Sequence, residues 1–389
     1  MKNLCRSMYY ISFPFSFMIF ILPFYARSFG ASPIQIGLLY SIFALMGILM
    51  RPLVGKYIDK KGRKGAYLLG LTFYCLVQLL WMMASGYWII LIARVLQSIA
   101  SAFLWISADA MVADLTKDKK YATGYGRFLQ SSNRGDFIGC CIGFTLLFNF
   151  YSKNVYQIIF GVFLAISLYG LYLGLKNLEE TRGEIKDLIE EDFDMTSQFK
   201  VYLTIMGLLA LVNSMLSPIF LIYLKENIGA ELVLLSIAYI PGEILANLLY
   251  GKIGELSDNY GKKKFMIGGL ILSSIMVFII PSVKTIGLFA IINTLFALSR
   301  IMIGPAQKAI ISDMTNNNHF GKSYGYYHTV VGIGAILGPI FGTYIYQYLG
   351  QDIIFFINGG LALGLTLLIR LTIKEKGKKD NKVKIAKSY

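Results

Sequence analysis

The chain has 389 residues, of which 56% are hydrophobic and 15% charged, against about 25% charged in a typical soluble domain. That is too little charge to cover a soluble surface of this size, so the composition points to an integral membrane protein. The net charge of +15 suggests nucleic acid, but the basic residues fall in short segments between apolar runs and in a tail, "KEKGKKDNKVKIAKSY". That placement excludes nucleic acid as a partner and fits positive-inside bias with anionic lipid at the cytoplasmic face.

Twelve segments meet the length and hydropathy of a bilayer span, so the predicted fold is all-α and polytopic. In chain order they are 8–26, 33–54, 66–85, 87–112, 122–148, 154–176, 200–224, 232–253, 265–282, 285–309, 322–347 and 351–373, here spans 1 to 12. The first run follows a basic start and lacks a small-x-small cleavage site, so it reads as a retained helix. Lys and Arg crowd the loops after spans 2, 4 and 8 and are sparse in the alternate loops. A multi-pass protein of a cytoplasmic membrane, with both termini in the cytoplasm, is expected. The bounds are 1–177 for a first six-span bundle, 178–199 for a linker, 200–374 for a second bundle and 375–389 for a basic tail. In the linker Ile185, Leu188, Ile189 and Phe193 recur at helical spacing, which suits a short amphipathic helix or a solvated tether. Cys5, Cys75, Cys140 and Cys141 form no metal-spaced set, and neither metal nor cofactor is expected. No HExxH, GxSxG or P-loop pattern occurs, so neither an enzyme nor an ATP-driven pump is expected.

The halves repeat one another. Asp59 and Asp258 are separated by 258 − 59 = 199 residues, as are Gly62 and Gly261, Gly30 and Gly229, and Asp114 and Asp313. Gly135, Gly139 and Gly143 of span 5 fall over Gly334, Gly338 and Gly342 of span 11. One offset held through loops and spans indicates two six-helix bundles in parallel repeat.

With Gly55-x-x-x-Asp59-x-x-Gly62-Arg63-Lys64 after span 2 and a degenerate copy around Asp258, the chain resembles the major facilitator superfamily, over nearly its whole length. The resemblance implies two six-helix pseudo-symmetric bundles, a small-molecule substrate held between them, and alternating access. It implies that the loop after span 2 is a cytoplasmic latch. Gly55 and Gly62 would allow a tight turn, Asp59 would sit at the start of span 11, and Arg63 would pair with Asp114 when the halves close. Span 4 carries Arg94-Val-Leu-Gln97-Ser98, similar to the family's Arg-x-x-Gln-Gly motif with serine for glycine. In proton-coupled members that arginine is tied to coupling. The glycine motif of the drug:proton antiporter branch lacks its proline in span 5 and is complete in span 11, at Gly338-Pro339.

Ionisable residues inside spans default to functional candidates. Asp136, Glu243, Asp109 and Arg94 are the proton-coupling candidates, with an Asp136–Glu243 or Arg134–Glu243 contact between halves as one arrangement and a fixed structural bridge as the other. At 100° per residue Arg94, Gln97, Ser101 and Trp105 share a stripe of span 4, and the repeat places Asn293, Arg300 and Gln307 on the matching stripe of span 10. Asn213 and Ser217 of span 7, Tyr239 and Asn247 of span 8, and Arg134 complete the candidate cavity lining. Tyr9, Ser12, Phe13 and Ser16 form the polar and aromatic face of span 1. His319 and His328 receive no role.

The expectation is a monomeric secondary transporter, coupled to protons and exporting amphipathic small molecules or drugs. Five cations (Arg51, Arg94, Arg134, Arg300, Lys308) against three acids within spans keep an organic anion, phosphorylated metabolite or anionic lipid open as substrate. A sensor that binds without transport is the reading from another class, and the chain shows no appended signalling domain.

Overall fold

The structure, a computed structural model, describes residues 1–115, 121–149, 155–181, 195–229, 232–242, 244–245, 249, 253, 256–257, 260–314 and 320–373. Glu243, Asn247, Asp258, His319, the amphipathic stretch of the linker and the tail 375–389 lie outside the described residues, as do the side chains of Asp59 and Lys308. Every regular element among the described residues is helical. The first compact unit, Met1–Ile189, holds α1 (Lys2–Ile11), α2 (Phe15–Ser28), α3 (Pro33–Lys61), α4 (Arg63–Met82), α5 (Tyr87–Leu115), α6 (Tyr121–Asn149) and α7 (Val155–Asn177). The second, Glu190–Tyr389, holds α8 (Ser197–Met215), α9 (Phe220–Ile228), α10 (Leu232–Ile237), α11 (Lys262–Ile279), α12 (Ile286–Met314), α13 (Phe320–Tyr348) and α14 (Ile353–Thr372).

Among the described residues ten helical stretches are long and apolar enough to cross a membrane. They correspond to spans 1–4, 6, 7 and 9–12. Span 5 forms as one 29-residue helix, α6, whose Ser131, Ser132, Asn133, Arg134 and Asp136 lower its hydropathy. Span 8 falls partly outside the described residues.

The repeat is legible in the backbone. Gly30 and Gly229 have φ of 77° and 68°, and Gly62 and Gly261 have φ of 93° and 114°. These are matched turns that a Cβ would strain. One detail departs from the expected latch. Gly55 lies inside α3, which continues to Lys61, so the charged stretch after span 2 is helical and turns at Gly62 alone. The apolar Val54, Tyr57 and Ile58 keep helical spacing through the charges, and Val54 and Ile58 are buried, which carries the helix on.

Spans 1 and 7 are each broken. Span 1 parts at Ser12–Pro14 and span 7 at Leu216–Ile219, where Pro218 stands. Proline lacks the amide that a continuing helix needs, yet Pro23, Pro52 and Pro339 sit inside helices. Side chains serve backbone carbonyls at both breaks. The Ser12 hydroxyl donates to the Met8 carbonyl at 2.6 Å. Asn358 of α14 donates to the Val212 carbonyl at 2.5 Å, beside the end of α8.

In hydrocarbon the hydrophobic effect does not join helices, and close packing takes its place. The face of Gly135, Gly139 and Gly143 lies on span 1. A Cβ at Gly135 or Gly139 would overlap the carbonyl of Tyr9 or Phe13, and one at Gly143 would meet the Phe17 ring. Gly334, Gly338 and Gly342 of α13 lie in the same way on α8, against the backbone of Gly207, Leu211 and Met215. The structure thus packs the span 5 glycine face on span 1 of its own unit.

Gly139→Leu is therefore expected to lower the thermal unfolding midpoint of the purified protein, with an overpacking cost of about 1–3 kcal/mol. Gly364→Ala, where a Cβ meets nothing within 4 Å, should leave the midpoint unchanged.

Candidate functional site

The break in span 1 defines the centre of the first unit. A helix start leaves amides without an internal partner, and inside a bilayer no water replaces it. Asp136 of α6 supplies one. The Ser16 amide donates to its Oδ1 at 2.7 Å and the Ser16 hydroxyl to its Oδ2 at 2.5 Å. The carboxylate thus sits against the positive end of α2. Ser12 and Ser132 hydroxyls meet at 2.9 Å between the same helices. Gly135 and Gly139, flanking Asp136, let the helices come close enough for these bonds. Arg134 is exposed and stands about 200° around α6 from Asp136, so the structure does not bring the two together.

Arg94 has a different setting. It is 4% exposed, and its Nε donates to the Leu39 carbonyl at 3.2 Å while a terminal nitrogen donates to Gln97 Oε1 at 2.5 Å. Its guanidinium carbon lies 4.3 Å from the Phe43 ring centre and 5.6 Å from that of Tyr40. Gln97 and Gln78 both turn an amide nitrogen to the Met18 sulfur, at 3.9 and 3.4 Å. Arg94 thereby ties α5 to α3 through a carbonyl and two rings. Ser98, at the position of the motif's glycine, adds a 2.6 Å bond to the Phe43 carbonyl. Ser101 lies beside Tyr74, and Trp105 packs on Phe15 and Phe128. Asp109 is half-buried and Arg51 exposed.

In the second unit the stripe of α12 holds Asn293, Arg300 and Gln307. Asn293 is 7% exposed and its amide nitrogen has no hydrogen-bond partner among the described residues. Arg300 lies near enough to Tyr239 to act on it electrostatically. Gln307 accepts at its carbonyl from the Tyr202 hydroxyl at 2.9 Å, and its amide nitrogen faces the Met206 sulfur at 2.9 Å. Asn213 and Ser217 are exposed, the latter at the break of span 7.

At the latch motif, Arg63 forms an ion pair with Asp114, both within the first unit. The arrangement includes a residue that spacing and periodicity did not single out, Glu180. Its carboxylate accepts from the amides of Arg63 at 2.8 Å and Lys64 at 3.1 Å, so it caps the start of α4. Thr181 donates to Asp114 at 3.0 Å. A Cβ at Gly62 would collide with the Glu180 carboxylate, so glycine is required there by the cap as well as by its φ. The sequence signal is only the acidic start of the linker, with no periodicity to mark one position.

Two outcomes follow from this geometry. Arg94→Lys keeps the charge but cannot serve Leu39, Gln97 and Phe43 together; unfolding measurements should show a loss of about 1–3 kcal/mol. Glu180→Ala should lower the unfolding midpoint more than Glu180→Gln, which retains an acceptor oxygen, and Gly62→Ala should match or exceed it.

The Major Facilitator Superfamily profile matches residues 5–204 and again residues 202–388, and the chain belongs to that superfamily. It is 24% identical over 362 residues to the multidrug resistance protein MdtG of Salmonella choleraesuis, across 90% of this chain and 89% of that protein. Among solved structures it is similar to the nucleoside transporter NupG, with a TM-score of 0.79 and 13% identity over 96% of this chain and 99% of that one. It is also similar to a bacterial homologue of the human lysosomal transporter Spinster, with a TM-score of 0.76 and 15% identity over 95% of each chain. The structural likenesses establish the fold. Family and relatives together make the chain a multi-pass membrane transporter of small molecules and not an enzyme.

Proposed function

We propose that the protein exports amphipathic small molecules from the cytoplasm in exchange for protons, by alternating access of its two six-helix bundles. Both termini lie in the cytoplasm and the protein works as a monomer. The relatives named for multidrug resistance support the substrate class. The observation that carries the proton assignment is the Asp136 carboxylate on the broken span 1. As a carboxylate, Asp136 accepts at both oxygens, from the amide and the hydroxyl of Ser16. Once protonated, one oxygen becomes a donor, the charge on the positive end of α2 is lost, and α2 is free to swing at Ser12–Pro14. Proton uptake is thereby linked to movement of α2. Glu243 is proposed as the second proton site, Asp109 and Arg94 as groups that tune the first unit, and the Gly62–Arg63–Asp114 cluster as part of the cytoplasmic latch.

Burial of Arg94 bears on the choice between substrates. Two of its five N–H donors go to Leu39 and Gln97, and with the side chain 4% exposed it is not openly presented to a substrate.

The test is flux in proteoliposomes with cationic, neutral and anionic amphiphiles under an imposed pH gradient. Native protein should carry cationic or neutral amphiphiles down the coupled gradient. Asp136→Asn should retain substrate exchange while gradient-driven accumulation falls to the exchange level, and Ser16→Ala should reduce accumulation partly. Unchanged pH dependence in both Asp136→Asn and Glu243→Gln contradicts the proton assignment, and transport of anions alone contradicts the substrate class.

A further inference from the structure

We propose that the ends of α1 and α6 carrying Lys2, Arg6 and Arg127 form a binding site for the phosphate headgroup of an anionic phospholipid of the cytoplasmic leaflet. The leaflet follows from the orientation proposed above; the site itself follows from helix register. Ser131 donates to the Cys5 carbonyl at 2.7 Å, Gly135 lies on Tyr9, and Gly139 on Phe13. The two helices therefore run in step, four residues against four. One turn before Ser131, Arg127 falls level with the first residues of α1, beside Lys2, with Arg6 little more than a turn further along.

Lys2 and Arg6 are one turn apart. They stand on the side of α1 away from Leu4, Ser7, Met8 and Ile11, which are buried, and Ser7 meets Tyr67 of α4 there at 3.0 Å. Lys2, Arg6 and Arg127 are all exposed, and among the described residues none of them has an ion-pair partner. Three like charges gathered on one helix pair repel unless a counter-ion joins them. Positive-inside bias explains cations at this end of the protein but not their placement on two helices held in register. A phosphate diester fits the geometry, since each guanidinium offers a fork of donors to its oxygens. Deeper on the same side of α1 stand Tyr9 and Tyr10, the latter edge-on to Tyr169 of α7 with ring centres 4.9 Å apart. Those rings would line the glycerol and upper acyl region, the depth at which aromatic side chains favour the interface. Asn3 donates to the Asn177 carbonyl at 2.8 Å and fixes the end of α1 against α7, so the site is held in place before any lipid arrives.

The experiment is thermal unfolding and native mass spectrometry of the detergent-purified full chain, titrated separately with phosphatidylglycerol, phosphatidylethanolamine and inorganic phosphate. Phosphatidylglycerol should raise the unfolding midpoint and be retained in the spectrum, and the other two should not. The Arg6→Gln/Arg127→Gln pair should weaken the phosphatidylglycerol titration by roughly tenfold or more, and the single Arg6→Gln should weaken it by less. Lys264→Gln, an exposed cation of the second unit, should leave the titration unchanged. Equal stabilisation by the zwitterionic lipid, full reproduction by free phosphate, or an unaltered titration in both Arg6 variants overturns the proposal.

Discussion

A helix that breaks inside hydrocarbon leaves amides that lipid cannot satisfy, and much of the first unit is arranged around that requirement at Ser16. Its amide and hydroxyl both go to Asp136. For Asp136 to reach them, α6 must approach span 1 at backbone distance, which is what Gly135 and Gly139 allow. The glycine face, the break and the membrane carboxylate are thus one arrangement. A larger residue at either glycine would separate the helices, and loss of the carboxylate would leave an amide unserved in the bilayer. A group that costs free energy to place there persists most readily where it also serves function.

The second unit repeats the architecture without repeating the chemistry. Its α13 glycines meet α8 as α6 meets α1, but the repeat places Ala335 where Asp136 stands. Near the break of span 7, a neutral side chain, Asn358, serves the freed Val212 carbonyl. Among the described residues only the first unit makes a helix break depend on an ionisable group. A similar asymmetry separates spans 4 and 10. Arg94 is enclosed and bonded to Leu39 and Gln97, whereas Asn293 at the equivalent position is buried and its amide nitrogen has no hydrogen-bond partner among the described residues. In the proposed mechanism Asp136 of the first unit and Glu243 of the second take up the protons.

Much of this was legible in the sequence, and the losses have physical causes. Hydropathy located the spans because a bilayer demands long apolar runs, and the 199-residue offset exposed the repeat because loops and glycines recur together. A hydropathy window averages over a break of three residues, so spans 1 and 7 read as continuous. Prolines alone do not correct this, since Pro23, Pro52 and Pro339 sit in unbroken helices. Helical-wheel reasoning rightly separated Asp136 from Arg134. It could not supply the partner, because Ser16 becomes an open donor only once the helix has parted. Glu180 was hidden for a different reason: a cap is a tertiary contact between a linker residue and a distant helix start, and no periodicity marks it.

Infrared difference spectroscopy on the reconstituted protein, across the pH range in which it transports, tests the central claim most directly, because it reads the carboxyl group itself. Expected are a protonated-carboxyl carbonyl band that titrates over that range and is absent in Asp136→Asn, and a matching carboxylate band that changes frequency in Ser16→Ala, where the hydroxyl bond to the carboxylate is lost. A spectrum with no band that depends on Asp136, or one that Ser16→Ala leaves unmoved, would contradict it.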